Sequence, residues 1–191
     1  MEIGIFSGSF DPIHTGHAIV ANYLAQYCGL DEVWLMPSPL NPLKQDTRPP
    51  ADSRHRLEMC RIIADKCGGV RVSDFEMSLP LPSYSWRTLT MLRDAMPEHR
   101  FHLVIGSDNW LEFDRWKNHR DIIRNFPVMI YPRPGHEVTG TLPEGVTLLR
   151  DAPQAVMSST FIRSAIAEGK NLSFFLDDAV AGYIKTHGLY E

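Results

Sequence analysis

Ile3-Gly4-Ile5-Phe6-Ser7-Gly8-Ser9-Phe10-Asp11-Pro12-Ile13-His14-Thr15-Gly16-His17 opens the chain and decides its fold. The apolar run from Ile3 to Phe6 ends in Ser7-Gly8-Ser9 and reads as a buried strand passing into a loop. A helical pattern follows over about residues 16–27, with Ile19, Val20, Tyr23, Leu24 and Tyr27 recurring on one face. A strand, a glycine-containing loop and a helix in that order form the opening unit of an α/β protein.

The pattern repeats outward from this unit. Strands are expected at 32–36, 70–72, 101–105, 127–131 and 146–149. Helices are expected at 57–64, 85–96, 121–125, 160–168 and 178–187. Several strands are continuously apolar, which fits a parallel sheet buried on both faces by helices. The fold class read here is therefore α/β, a Rossmann-like doubly wound parallel sheet. A small C-terminal helical portion from about residue 155 to 191 belongs to one domain, 1–191. Asp177-Asp178 before the last helix and Gly188 after it mark its ends.

Bulk properties bound the function. The chain has 191 residues, 43% apolar and 22% charged, enough for a full core. Its formal net charge of -4 gives no basic surface for nucleic acid or anionic lipid. No apolar run approaches the roughly 18 residues of a membrane span, and no signal peptide opens the sequence, so a cytoplasmic location is expected. Cys28, Cys60 and Cys67 form no Cys-x-x-Cys pair and are expected to be buried, reduced thiols.

The segment Gly8–His17 is the first chemical site. Gly8 permits a tight turn, and Gly16 lets a ligand approach the backbone. His14 and His17, three apart at a helix start, project to one side, where the helix N-terminus adds N–H donors and partial positive charge. Two imidazoles there suit phosphate oxygens and the charge of a transition state. The spacings of the dinucleotide fingerprint and of the Walker loop are both absent. A metal pair is the competing reading, without an evident third ligand; a purely structural pair is another.

A second site is Ser158-Ser159-Thr160-Phe161-Ile162-Arg163. Its hydroxyls suit helix capping. Three of them with an arginine one turn later also suit a phosphate site backed by a helix dipole. The residues alone leave both readings open. The proline-rich stretch from Met36 to Pro50 follows a strand end, where α/β proteins place ligand loops.

Together these motifs resemble the paired signature of bacterial nicotinate-nucleotide adenylyltransferases, members of the nucleotidyltransferase superfamily with the His-x-Gly-His motif. The likeness extends through Pro39–Lys44, Arg54-His55-Arg56-Leu57, Pro82-Ser83-Tyr84-Ser85, Gly106-Ser107-Asp108, Trp116, Arg133-Pro134-Gly135 and Gly188-Leu189-Tyr190. The resemblance implies transfer of AMP from ATP to nicotinate mononucleotide, with release of pyrophosphate. It implies His17, His14, Lys44 and Arg163 as catalytic groups. ATP would lie against Gly8, Ser9, Phe10, His14, His17, Gly106, Asp108, Ser158, Ser159, Thr160 and Arg163. Tyr84, Ser85, Trp116 and Lys44 would hold the mononucleotide. Mg2+ would be held mainly by the nucleotide phosphates, with no dedicated protein ligands; a homo-oligomer is left open. Leu43, Ser85, Arg87 and Met157 depart from the residues usual in the family.

The rival readings are transfer to pantetheine phosphate or to nicotinamide mononucleotide, and a non-catalytic nucleotide sensor on the same fold.

Overall fold

A computed structural model of the protein describes residues 1–39 and 49–191; Leu43 and Lys44 lie outside the described residues. The described residues form one six-stranded parallel sheet in the order β3-β2-β1-β4-β5-β6. The strands are β1 (Glu2–Gly8), β2 (Glu32–Pro37), β3 (Val70–Val72), β4 (Arg100–Gly106), β5 (Val128–Tyr131) and β6 (Val146–Leu148). Between and after them come α1 (Thr15–Tyr27), α2 (Ser53–Ala64), α3 (Ser85–Ala95), α4 (Ser107–Leu111), α5 (His119–Asn125), α6 (Ser159–Ala167) and α7 (Asp178–Thr186).

The doubly wound arrangement follows from the strand sequences. In β1, Ile3 and Ile5 enter one core, while Phe6 enters the other. In β4, Phe101, Leu103 and Ile105 share the first core, and Val104 faces the second. Such strands are apolar on both pleat faces, so both must be covered. Leu89 and Leu92 of α3 and Ile122 of α5 cover one face. Leu24, Met59, Ile162 and Val180, from α1, α2, α6 and α7, cover the other.

Strand order positions the site. β1 pairs in parallel with both β2 and β4, Phe6 lying between Leu35 and Val104. The chain steps from β1 outward to β3 and then returns to the other side of β1 at β4. That reversal parts the loops after β1 and β4 and opens a crevice above their carboxyl ends.

Some expectations need correction. Of the three free cysteines only Cys60 is fully buried; Cys28 and Cys67 are partly exposed, because they sit at and beyond helix ends. Helix α2 begins at Ser53 instead of Leu57, since the Asp52 carboxylate accepts the Arg54 N–H at 2.8 Å and starts the helix early. The short turns 75–78, 107–111 and 113–115 were not separable from loop by periodicity. No helix among the described residues is long and apolar enough to cross a membrane.

Leu24 is completely buried in the α1 face, whereas Tyr27 is 74% exposed. Leu24→Ala is expected to cost about 3 kcal/mol, from lost transfer energy plus a cavity, and Tyr27→Ala less than about 1 kcal/mol. Urea denaturation of the two variants measures both; comparable losses would contradict this assignment of the core.

Candidate active site

The crevice is a cleft of about 510 Å³ bordered by the loops after β1, β4 and β5 and by the starts of α3 and α6. Its size suits a nucleotide-sized ligand.

The first motif forms the N-terminal end of α1. His14 is the N-cap, and its backbone N–H donates to Nδ1 of His17 at 3.4 Å. An accepting Nδ1 puts the hydrogen of neutral His17 on Nε2, which makes that atom a donor. The two imidazoles stack with centroids 3.8 Å apart, and the His17 ring meets the edge or face of Phe10 at 5.0 Å. Both histidines line the cleft. Burial, then the charge of Arg133, holds the His14 imidazole down to about 4. His14 is therefore neutral at neutral pH, and its buried Nδ1 has no hydrogen-bond partner among the described residues. Phe10 holds its backbone at φ 45° with its ring fully buried, so any ligand contact at Phe10 falls to its main chain.

Tertiary structure docks the second motif onto the first. Ser159 Oγ donates to the Pro12 carbonyl at 2.9 Å, and Arg163 Nη1 donates to the Asp11 carbonyl at 2.7 Å. The Gly16 N–H lies 3.3 Å from the Met157 sulfur. A Cβ on Gly16 would lie 3.1 Å from side-chain atoms of both His14 and Met157, so a larger residue there would force one of them to shift. Ser158 caps α6 by accepting the Phe161 N–H at 3.2 Å, and Thr160 Oγ1 accepts from Arg163 at 3.2 Å. The capping reading of Ser158 is thus met, while Ser158, Ser159, Thr160 and Arg163 all line the cleft.

Gly106 and Asp108 lie across the cleft, at the end of β4. Asp108 does not cap α4; Gly106 occupies that position, and the Asp108 carboxylate pairs with Arg133 Nη1 at 3.0 Å. A Cβ on Gly106 would collide with Asp108 and with Arg133 Cδ, so glycine makes this pair possible. Ser107 Oγ accepts the Arg133 backbone N–H at 2.8 Å and completes the corner.

Tyr84, Ser85 and Trp116 line the remaining end. Tyr84 is the N-cap of α3, so the first turn of that helix faces the cleft. Ser83 Oγ and Trp116 Nε1 are buried there without hydrogen-bond partners among the described residues. Lys117 Nζ stands 4.9 Å from the Tyr84 ring centroid. Arg87 donates to the Pro80 carbonyl at 2.6 Å and is not part of the cleft wall.

Asp11, Arg56 and Arg133 were quoted within motifs but given no role from sequence, and Glu76 was not singled out. Asp11, Glu76 and Arg133 line the cleft, and Arg56 lies buried beside it. Burial pushes the Glu76 carboxyl up, opposed by hydroxyl donors of Thr88, Ser7 and Ser38. Arg133, two residues beyond β5, carried a further local signal: a cation just past a strand end. The others are defined by contacts across long sequence separations. Among the described residues no cluster of three His, Cys, Asp or Glu side chains could hold a metal ion. Asp11 and Asp108 are paired with arginines, and Glu76 accepts from hydroxyls.

The model of the cytidylyltransferase-like family matches residues 5–165. A probable nicotinate-nucleotide adenylyltransferase of Bacteroides thetaiotaomicron is 47% identical over 188 residues, 98% of this chain and 92% of that protein. One of Flavobacterium johnsoniae is 37% identical over 198 residues, the full length of both. A solved structure, the Plasmodium falciparum nicotinic acid mononucleotide adenylyltransferase complexed with NaAD, superposes with a TM-score of 0.82 at 18% identity. It covers 99% of this chain and 97% of that one, and shows the shared fold.

The depressed His14 value makes stability depend on pH. Between its ordinary 6.5 and about 4 the unfolded chain binds the proton and the folded chain does not. This contribution is complete above about pH 6.5 and is lost as pH falls toward 4. Between pH 7 and about pH 4.5, the wild type should lose about 2 kcal/mol more stability than His14→Asn. Parallel urea titrations at the two pH values test it; equal losses would refute a buried neutral imidazole.

Proposed function

We infer that this cleft joins ATP and nicotinate mononucleotide into nicotinate adenine dinucleotide and pyrophosphate, because the chain belongs to the nicotinate-nucleotide adenylyltransferases within the cytidylyltransferase-like family. The observation that carries the site assignment is the docking of the Ser158–Arg163 segment on the Asp11–His17 loop. It brings hydroxyls, a guanidinium and two imidazoles around one space at the starts of α1 and α6.

In this reading the mononucleotide's 5′-phosphate oxygen attacks the α-phosphorus of ATP in line. The new bond joins that oxygen to phosphorus, and the bond from the α-phosphorus to the β-bridging oxygen breaks, releasing pyrophosphate. Such a transfer needs positioning and charge neutralisation more than a covalent enzyme intermediate. His17 donates from Nε2 to the reacting phosphate. Neutral His14 orients His17 through its backbone N–H and stacks against it. Arg163, Ser158, Ser159 and Thr160 take the leaving pyrophosphate. Lys44, outside the described residues, is assigned to the same phosphates. Gly8, Ser9 and Phe10 pass their backbone beneath the nucleotide, and Gly106 with Asp108 takes the adenosine ribose.

At the other end, Tyr84 and Trp116 frame the pyridine ring. Its carboxylate meets the first turn of α3 at Ser85, whose amides and partial positive charge favour an anion. The unpartnered Ser83 hydroxyl and Trp116 indole N–H supply further donors. Mg2+ fits as an ion carried in on the nucleotide, held by phosphate oxygens and water, since the cleft's acidic side chains are already engaged. When bound it supplies neutralisation of phosphate charge. Residues 1–191 act here as one unit, with the segment from about 155 onward carrying the second motif, and the cytoplasm is the proposed location.

Pyrophosphate release from Mg·ATP, with nicotinate or nicotinamide mononucleotide supplied separately, tests the reading. Strong preference for the acid is expected; turnover with neither, but with pantetheine phosphate, would replace it. His17→Ala should lower kcat at least about 100-fold with ATP binding retained; full activity would remove His17 from the chemistry. Ser83→Ala should reduce the acid-over-amide preference about tenfold, and an unchanged ratio would take Ser83 out of the carboxylate pocket.

A further inference from the structure

Arg163 is held by a relay that begins far from both motifs. Tyr190, in the turn after α7, is buried, and its hydroxyl donates to Asp11 Oδ1 at 2.8 Å across 179 positions of sequence. The same Oδ1 accepts the Ala51 N–H at 3.0 Å. The other carboxylate oxygen, Oδ2, lies 3.6 Å from Arg163 Nη1, the atom that also donates to the Asp11 carbonyl. Asp11 therefore takes a phenol and an amide at one oxygen and faces a guanidinium with the other.

We propose that Tyr190 is a positioning residue that sets Arg163 for pyrophosphate by engaging the Asp11 carboxylate. Asp11 is a negative charge on the wall of a cleft meant for polyphosphate, and two effects follow from binding it to a phenol. The hydrogen bond draws charge density toward Oδ1, which lowers the repulsion felt by an incoming anion. It also fixes the carboxylate so that Oδ2 stays 3.6 Å from Arg163 instead of closing into a tight ion pair. A tighter pair would engage the guanidinium and leave it less able to pair with phosphate. Both effects act in the same direction.

The backbone indicates that Tyr190 is specifically held. Its φ is 68°, a left-handed conformation that a bulky residue adopts only when its surroundings require it. The Leu189 N–H donates to the Ile184 carbonyl at 3.0 Å, which brings the turn back over α7. Burial and the neighbouring carboxylate push the phenol well above its usual range, so it remains a donor throughout the working pH range.

This inference rests on the assignment of Arg163 to the pyrophosphate site, so its test reads pyrophosphate directly. Tyr190→Phe deletes one oxygen and keeps the ring. Inorganic pyrophosphate is titrated calorimetrically into wild type, Tyr190→Phe and the control Tyr183→Phe, whose hydroxyl contacts His55 instead. The Kd is expected to rise about three- to tenfold in Tyr190→Phe, with full stoichiometry retained. In Tyr183→Phe it should stay within twofold of wild type. In turnover, Tyr190→Phe should raise the KM for pyrophosphate in the reverse direction and leave that for nicotinate mononucleotide within twofold.

A purely structural role would lower the melting temperature and the binding-competent fraction without moving Kd; that outcome, or an unchanged Kd, overturns the proposal. Wild type that fails to bind pyrophosphate overturns both this inference and the site assignment. Wild type that binds pyrophosphate but does not adenylate nicotinate mononucleotide overturns the substrate assignment alone.

Discussion

A buried guanidinium holds the loops of this cleft together. Arg56 of α2 is 1% exposed, and its donors reach the carbonyls of Ser9 at 2.7 Å, Ser38 at 2.8 Å and Ala51 at 2.9 Å, with Ser53 Oγ at 3.1 Å. Those acceptors belong to the loop after β1, the loop after β2 and the approach to α2. A buried cation is costly unless its donors are filled, and removing it would leave three inward-facing carbonyls unpaired. The three segments are therefore constrained jointly: none can move without exposing both a charge and a carbonyl. Asp11 opposes the loss of charge that burial alone would favour at Arg56.

The rest of the cleft is built on that constraint. With Ser9 held, the β1 loop delivers His14 and His17 at the start of α1, and Asp11 presents its carbonyl to Arg163. Charge is balanced before any ligand arrives: Arg163 faces Asp11, and Arg133 pairs with Asp108. Under the proposed function, an entering polyphosphate would exchange partners with groups already in place, which would reduce reorganisation at the moment of reaction. The end beside Tyr84 differs, since Ser83 and Trp116 hold donors that the described residues do not use.

How much was legible beforehand depended on the range of the interaction. The opening strand, loop and helix were readable because burial on both faces demands continuous apolar strands, and amphipathic helices repeat on their own period. The two motifs were readable as local clusters of glycine, histidine, hydroxyls and arginine at helix starts. Ser158 illustrates the ambiguity that remained, as one hydroxyl both caps α6 and borders the cleft. Asp11 lay in full view inside the first motif, yet its partners Tyr190, Ala51 and Arg163 are 179, 40 and 152 positions away. Glu76 had no local pattern at all; only the folding of Thr88 and Ser7 around it marks it as a site residue.

The sequence by itself determined the alternation of elements, the doubly wound sheet, and the two motifs with their family resemblance, because each depends on residues close together along the chain. Tertiary structure alone decided that the second motif seats on the first, that Asp108 pairs with Arg133 and caps nothing, and that His14 is buried and neutral. It also decided that Arg56 and Tyr190 hydrogen-bond to the loop after β1 from distant segments. Their roles arise from desolvation and hydrogen-bond geometry among distant segments, quantities that come into being only when the sheet brings those segments together.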